Sequence, residues 1–216
     1  MGLSFGIWNS ALGIAMAQYT QSIQNLMNLL AALPGIGTRS AERITFHLLK
    51  QSTDEAMRLA HAIHDVKTRI KHCSVCYNLT ESDPCSICGD ASRDQSLVCI
   101  VEQPKDLLAL EAAGSYKGVY HVLLGRIAPL DGSDEHDLTI DALATRLEGG
   151  TIKELILGTN PNLDGDATSL YLQDLVQSRF PDVVMTRLAR GLAAGTQIEY
   201  ANKSVLADAL AGRQRM

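Results

Sequence analysis

Four of the chain's five cysteines stand close together, Cys73, Cys76, Cys85 and Cys88, in the pattern C-x2-C-x8-C-x2-C. Each pair sets two thiolates in one tight turn, and four thiolates satisfy tetrahedral Zn²⁺. The eight residues between the pairs are polar and turn-like, with Asn78, Ser82, Asp83 and Pro84, so closing the site costs little chain entropy. Four cysteine ligands leave no open coordination position. The ion expected here is therefore structural, and it contributes directly to the folding of a loop too small for a core of its own. His72 is read as a bystander, and Cys99 stands apart in the apolar run LVCIV. The apolar start MGLSFGIWNSALGIAMAQ has no basic n-region, the first cationic residue being Arg39, so neither a secretory leader nor disulfides are expected.

A second chemistry-bearing stretch is LPGIGTRSAER, Leu33 to Arg43. Gly35 and Gly37 permit a tight bend that aims backbone N–H groups outward at the start of a helix, where the helix dipole favours an anion. Arg39 and Arg43 lie four apart on one helical face. A nucleic-acid phosphate backbone fits such a turn, and that contact carries no sequence information. An ordinary joint between two helices has the same spacing. A third group is acidic: Glu102 after LVCIV, and Asp164 and Asp166 in NPNLDGDAT after ELILG. Both positions fall at the carboxyl ends of expected parallel strands, where α/β sheets place their sites. A Glu with an Asp-x-Asp pair suits Mg²⁺, which takes a few carboxylates and keeps several waters. Helix capping by Asp164 or Asp166, with a solvated Glu102, is the competing reading.

The elements that must position these groups follow from periodicity. Ile23, Leu26, Met27, Leu30 and Leu33 predict a helix over 21–33 that stops at Pro34-Gly35. A second helix is expected from near Ser40 through ITFHLLK. A third is announced by a Ser52/Glu55 capping box and carries Met57, Ala60, Ile63, Val66 and Ile70 on one face. From Leu97 the texture changes. LVCIV, VYHVLL, KELILG and VVMTRL read as strands alternating with the helical patterns KDLLALEAA, TIDALATRLE and ATSLYLQDLVQ, which predicts a parallel sheet covered on both faces. The tail offers a strand, TQIEY, and a last helix, KSVLADALAGR. His121 in VYHVLL is expected to pack or hydrogen-bond rather than ligate. The loop RLARGLAAGTQIEY puts Arg187 and Arg190 near Gly191 and Gly195, a weak signal for phosphate contact.

The fold class is thus a multi-part α+β and α/β chain. Residues 1–18 are read as an extension outside the fold, 19–71 as a basic helical module, 72–90 as the four-cysteine knuckle, 95–190 as the α/β domain and 191–216 as a strand–helix tail. The extension is the sort of segment an upstream start codon ahead of Met16 produces. With 216 residues, 46% hydrophobic and 20% charged, the chain can bury a real core, and no apolar run is long enough for a membrane-spanning helix. The net charge of −5 conceals a division. Residues 1–71 hold seven Lys/Arg and four Asp/Glu, whereas residues 72–216 hold twelve and twenty. The phosphate-suited turn lies in the basic part.

In this order the motifs resemble the bacterial recombination mediator RecR family: LPGIG with RSAER, then CSVC and CSIC, IVEQPKDLLALE, YHVLLG, IAPLDG, ILGTNPNLDGDAT and RLARGL, spanning roughly Tyr19 to Arg213. The resemblance implies a helix-hairpin-helix module, a four-cysteine zinc finger and a Toprim domain, the fold of topoisomerase and primase catalytic centres. It also implies no enzymatic activity. A homo-oligomeric ring, expected as a tetramer, would encircle DNA in the bacterial cytoplasm at the nucleoid. RecO-type and RecF-type partners would help it load recombinase at single-strand gaps. Carried over, Gly35, Gly37, Arg39 and Arg43 become DNA contacts, and Cys73, Cys76, Cys85 and Cys88 zinc ligands. Glu102, Asp164 and Asp166 match the Toprim acids, with a partner-binding or Mg²⁺ role open. Asp-Gly-Asp departs from the Glu-Gly-Glu type of pattern at the last pair. The alternative is a Mg²⁺-dependent Toprim nuclease or related DNA-processing enzyme using those three acids.

Overall fold

The computed structural model describes residues 19–214, so the expected extension lies outside the described residues. The chain divides into two compact units between Lys67 and Thr68.

The first unit is helical. Helix α1 spans Gln21–Ala31, α2 Thr38–Lys50 and α3 Thr53–Arg69. The apolar spacing of α1 half-buries Ile23, Leu26, Met27 and Leu30, as expected. Helix α2 begins two residues before Ser40, because Gly37 already serves as its N-cap. It buries Ala41 and Thr45. The capping box of α3 forms: Glu55 N–H donates to Ser52 Oγ at 3.3 Å and Ser52 N–H to Glu55 Oε2 at 3.0 Å. The apolar face of α3 is not packed, however. Met57, Ile63 and Val66 are 44%, 59% and 60% exposed.

The second unit joins the cysteine knuckle to a four-stranded sheet. The short strands β1, Lys71–His72, and β2, Leu79–Thr80, pair antiparallel around the first cysteine turn. Strands β3 (Asp94–Val101), β4 (Gly118–Val122), β5 (Glu154–Leu157) and β6 (Val184–Arg187) form an all-parallel sheet in the order β4-β3-β5-β6. Helices α4 (Pro104–Ala112), α5 (Ile140–Glu148) and α6 (Leu163–Arg179) make the crossovers. Successive side chains of a strand point to opposite faces, and β3 shows it. Val98 and Ile100 pack with Leu143, Leu147, Leu172 and Val176 of α5 and α6, while Cys99 and Val101 join Tyr120, Val122 and Leu107 of α4 on the other face. Burial on both faces explains the continuous apolar runs of β3 and β4, whereas the edge strand β6 is largely exposed.

One expectation fails in the tail. TQIEY is not a strand: Ile198–Tyr200 form a single 3₁₀ turn, and Tyr200 N–H donates to Gln197 O at 3.1 Å. Alternation over so short a stretch has no meaning without a neighbouring strand to complete the ladder, and none pairs with it. The last helix, α7, spans Lys203–Ala211 and is capped by Asn202, whose Oδ1 accepts from Val205 N–H at 2.9 Å.

Candidate DNA-binding turn, zinc centre and acidic cluster

In the helical module the turn between α1 and α2 is built by short backbone hydrogen bonds, Leu33 N–H to Leu30 O and Ile36 N–H to Leu33 O, both 3.1 Å. Gly35 takes φ +78°, a left-handed conformation that strains any side chain. Gly37 caps α2 with no side-chain acceptor, and Ala41 N–H is the first to bond back, to Gly37 O at 2.9 Å. The N–H groups of Thr38, Arg39 and Ser40 are therefore left for an external acceptor at the positive end of the helix. Arg39 and Arg43 are both exposed, and neither forms an ion pair with a described residue. Arg43 also lines a cleft of about 420 Å³ with Ser40, Ile44 and His47. Tyr19 fixes the chain's entry by donating to Glu42 Oε1 at 2.7 Å and stacking edge-on against Phe46.

In the knuckle, the ligand atoms of Cys73, Cys76, Cys85 and Cys88 all lie within 4.8 Å of one another. A tetrahedral Zn²⁺ with Zn–S bonds of about 2.3 Å needs sulfurs about 3.8 Å apart. The Cys76 and Cys85 sulfurs are 3.5 Å apart, so the set fits the ion with little adjustment. Cys73, Cys76 and Cys85 are buried. A hydrogen bond with Cys88 and burial raise the Cys76 thiol, and burial raises Cys85. Zn²⁺ would supply the positive charge that four thiolates sharing one site need. The second C-x2-C turn is tied to the first, since Cys85 N–H donates to Cys73 Sγ at 3.3 Å. Asp83 accepts from Ser74 N–H and Oγ at 2.9 Å each.

The knuckle is welded to the sheet. Val122 N–H donates to Cys76 O at 2.8 Å, and Ile87 packs against both faces' core clusters and the cysteines. His121 is wholly buried and meets Tyr77 edge-on at 5.6 Å. Thr139 Oγ1 donates to Val122 O, so His121 Nε2–H donates to Thr139 O and Oγ1, while its Nδ1 has no partner. It bonds rather than ligates, as expected. Arg146 Nη1 donates to Tyr120 O at 2.7 Å, and burial lowers its guanidinium pKa against the opposing charges of Cys88, Cys76 and Cys73.

The acidic residues are each held by partners within the chain. Glu102 is 4% exposed, and both its oxygens are taken: Oε1 accepts from Asn160 N–H and Oε2 from Asn160 Nδ2, each at 2.7 Å. Asp164 Oδ2 accepts from Arg126 Nε at 2.8 Å, and Arg126 also reaches Asp131. Asp166 is gripped by Arg187 at 2.8 Å and by both terminal guanidinium nitrogens of Arg190. Arg190 first, then Arg187, hold its carboxyl below the usual range. Neither aspartate caps α6. Asn162 does, its Oδ1 accepting from Gly165 N–H at 2.8 Å, because the helix starts at Leu163, ahead of both. Gly165 is required by closeness: a Cβ there would sit 2.0 Å from Asn160 O and 2.9 Å from Glu102 Oε1. Among the described residues, the four cysteines form the group of three or more candidate metal ligands whose donor atoms converge, and the acids are not in it. The arrangement lends the Mg²⁺ expectation no support. Each carboxylate already has its cation or amide. Asn160, Arg126 and Asp131 carried no signal in sequence, and the arginines read there as phosphate contacts, Arg187 and Arg190, face an acid instead.

A cysteine-knuckled, parallel α/β domain with a separate helix–turn–helix unit defines a zinc-finger protein of Toprim class. Comparison with known proteins gives the family. Residues 23–67 match the RecR helix-hairpin-helix, residues 70–90 the RecR zinc finger domain with four cysteines and residues 96–189 the Toprim domain. A Recombination protein RecR of Rhodopirellula baltica is 54% identical over 201 residues, 93% of this chain and 100% of the relative. Those of Pelotomaculum thermopropionicum and Staphylococcus aureus are 45% and 44% identical, over 93% and 92% of this chain and 100% and 99% of their own. The chain belongs to the RecR family of recombination proteins, and with it to recombinational DNA repair. No helix among the described residues is long and apolar enough to cross a membrane.

Proposed function

We propose that this chain is a non-catalytic DNA-binding mediator that assembles as a homo-oligomeric ring, a tetramer, and holds DNA through its helical module. The observation that carries this reading is the turn before α2. Its free first-turn N–H groups, with Arg39 and Arg43 uncommitted beside them, sit in the basic part of an otherwise acidic chain. Gly35 and Gly37 bring the backbone to the phosphate, and the two arginines add charge on the same side. Contacts of this kind are weak and indifferent to sequence. Several copies around one duplex multiply them, so a modest charge per chain suffices.

Self-association has its own support. The exposed Ile63 and Val66 on α3 are apolar surface that a second copy would cover. The acidic α/β domains are left for basic surfaces of RecO-type and RecF-type partners, with which the ring would load recombinase at single-strand gaps. A bacterial cytoplasmic protein working at the nucleoid fits this role. The enzyme alternative is disfavoured by the pairing of Glu102, Asp164 and Asp166 with Asn160 and arginines.

A salt challenge tests the clamp. Protein loaded on closed circular DNA should survive a high-salt wash and slide off the same DNA once linearised, and light scattering should give a multiple of the chain mass. Equal release from circle and line, or a monomer at micromolar concentration, would overturn the ring.

A further inference from the structure

One member of the acidic cluster is held across two elements of the fold. We propose that Asp166 is a latch: it anchors the segment after β6 to the start of α6 through Arg187 and Arg190, in the place where a catalytic Toprim centre would keep a divalent cation.

The geometry is specific. Asp166 lies in the first turn of α6, while Arg187 closes β6 and Arg190 stands three residues on, 21 and 24 residues away in sequence. Arg190 uses two nitrogens of its fork on the two carboxylate oxygens, the arrangement that binds most firmly. The carboxylate is 40% exposed and the Arg190 side chain 24%, so the pair is partly shielded from solvent. The next residue, Gly191, approaches α7 so closely that a Cβ would lie 3.3 Å from Ala209 Cα. The latch therefore sits at the root of the tail and reaches α7 through one residue.

Little else fixes that tail. Backbone hydrogen bonds between its loop residues are local, Thr196 N–H to Ala193 O at 3.2 Å and Ala201 N–H to Ile198 O at 3.1 Å. Ile198, Tyr200 and Leu210 are 65%, 80% and 67% exposed. A segment with few buried contacts opens at low free energy unless something pins it. Cavities of about 150 and 540 Å³ flank Arg190, between the loop after β5 and the tail, so the latch spans an open seam rather than a packed core. The latch is independent of whether the helical module grips DNA.

The experiment is hydrogen exchange on residues 188–213 of the full chain, with strands β3 to β5 as internal reference, together with Mn²⁺ titration followed by electron paramagnetic resonance. Asp166→Asn and the pair Arg187→Ala with Arg190→Ala should each speed exchange in the tail by about fivefold, the size an ion-pair network of this exposure allows. Combining them should add nothing, because both remove one latch. Asp164→Asn, whose partner Arg126 lies elsewhere, should leave the tail unchanged, and the wild type should bind no Mn²⁺. Tail protection that survives both Asp166→Asn and the arginine pair, or Mn²⁺ bound by the wild type and lost in Asp166→Asn, would overturn the latch.

Discussion

Gly165 lacks a side chain because Asn160 O occupies the space, and Asn160 is the residue that clasps Glu102. Gly165→Ala should therefore cost about 1–3 kcal/mol, the usual range for overpacking, read as a lower midpoint in urea with an unchanged slope. His121 makes the opposite kind of prediction. Burial pushes its pKa down to about 4, against the hydrogen bond to Thr139 and with the charge of Arg146. The unfolded chain keeps the ordinary value near 6.5, so between these values it binds more protons than the fold does. Stability is thus fully present above about pH 6.5 and is lost as the pH falls from there towards 4, by up to about 3 kcal/mol. His121→Gln keeps a donor for Thr139 and does not titrate. The stability difference between wild type and variant should accordingly narrow by that amount on acidification, measured by urea denaturation at several pH values.

At the scale of elements, the knuckle depends on its ion. Cys76→Ser should lose zinc and return insoluble or unfolded protein, checked by metal content and circular dichroism. Arg146 reaches from α5 to Tyr120 O, in the strand whose Val122 N–H holds Cys76 O. Arg146→Gln should make zinc about tenfold easier to extract with a chelator, as loss of a supporting partner does at other metal sites. These elements also show what sequence could tell. The knuckle was legible because its four ligands are local and their spacing is itself the geometry. Strands β3 and β4 were legible because burial on both faces writes continuous apolar runs. The capping box of α3 was legible for the same reason of nearness, three residues apart. The partners of the acids were not: Glu102 meets Asn160 across 58 residues and Asp164 meets Arg126 across 38. No local pattern encodes a contact that only the closed sheet creates. TQIEY misled for a related reason, since a strand exists only where another strand receives it.

For the whole molecule, the division of charge is the organising fact. A basic helical module and an acidic α/β domain on one chain suit an assembly that gathers DNA with one part and proteins with the other. In the proposed function the turn before α2 does the gathering, without catalysis. The most direct measurement is a DNA-binding titration of wild type and the Arg39→Ala, Arg43→Ala double variant across salt concentrations, with Mg²⁺ present and the DNA recovered and inspected for nicks. The variant should bind all sequences more weakly by a similar factor, with a salt slope shallower by about two for each subunit engaged, and the DNA should be intact. Unchanged affinity and slope in the variant, or DNA nicked in a Mg²⁺-dependent manner by the wild type, would contradict the account.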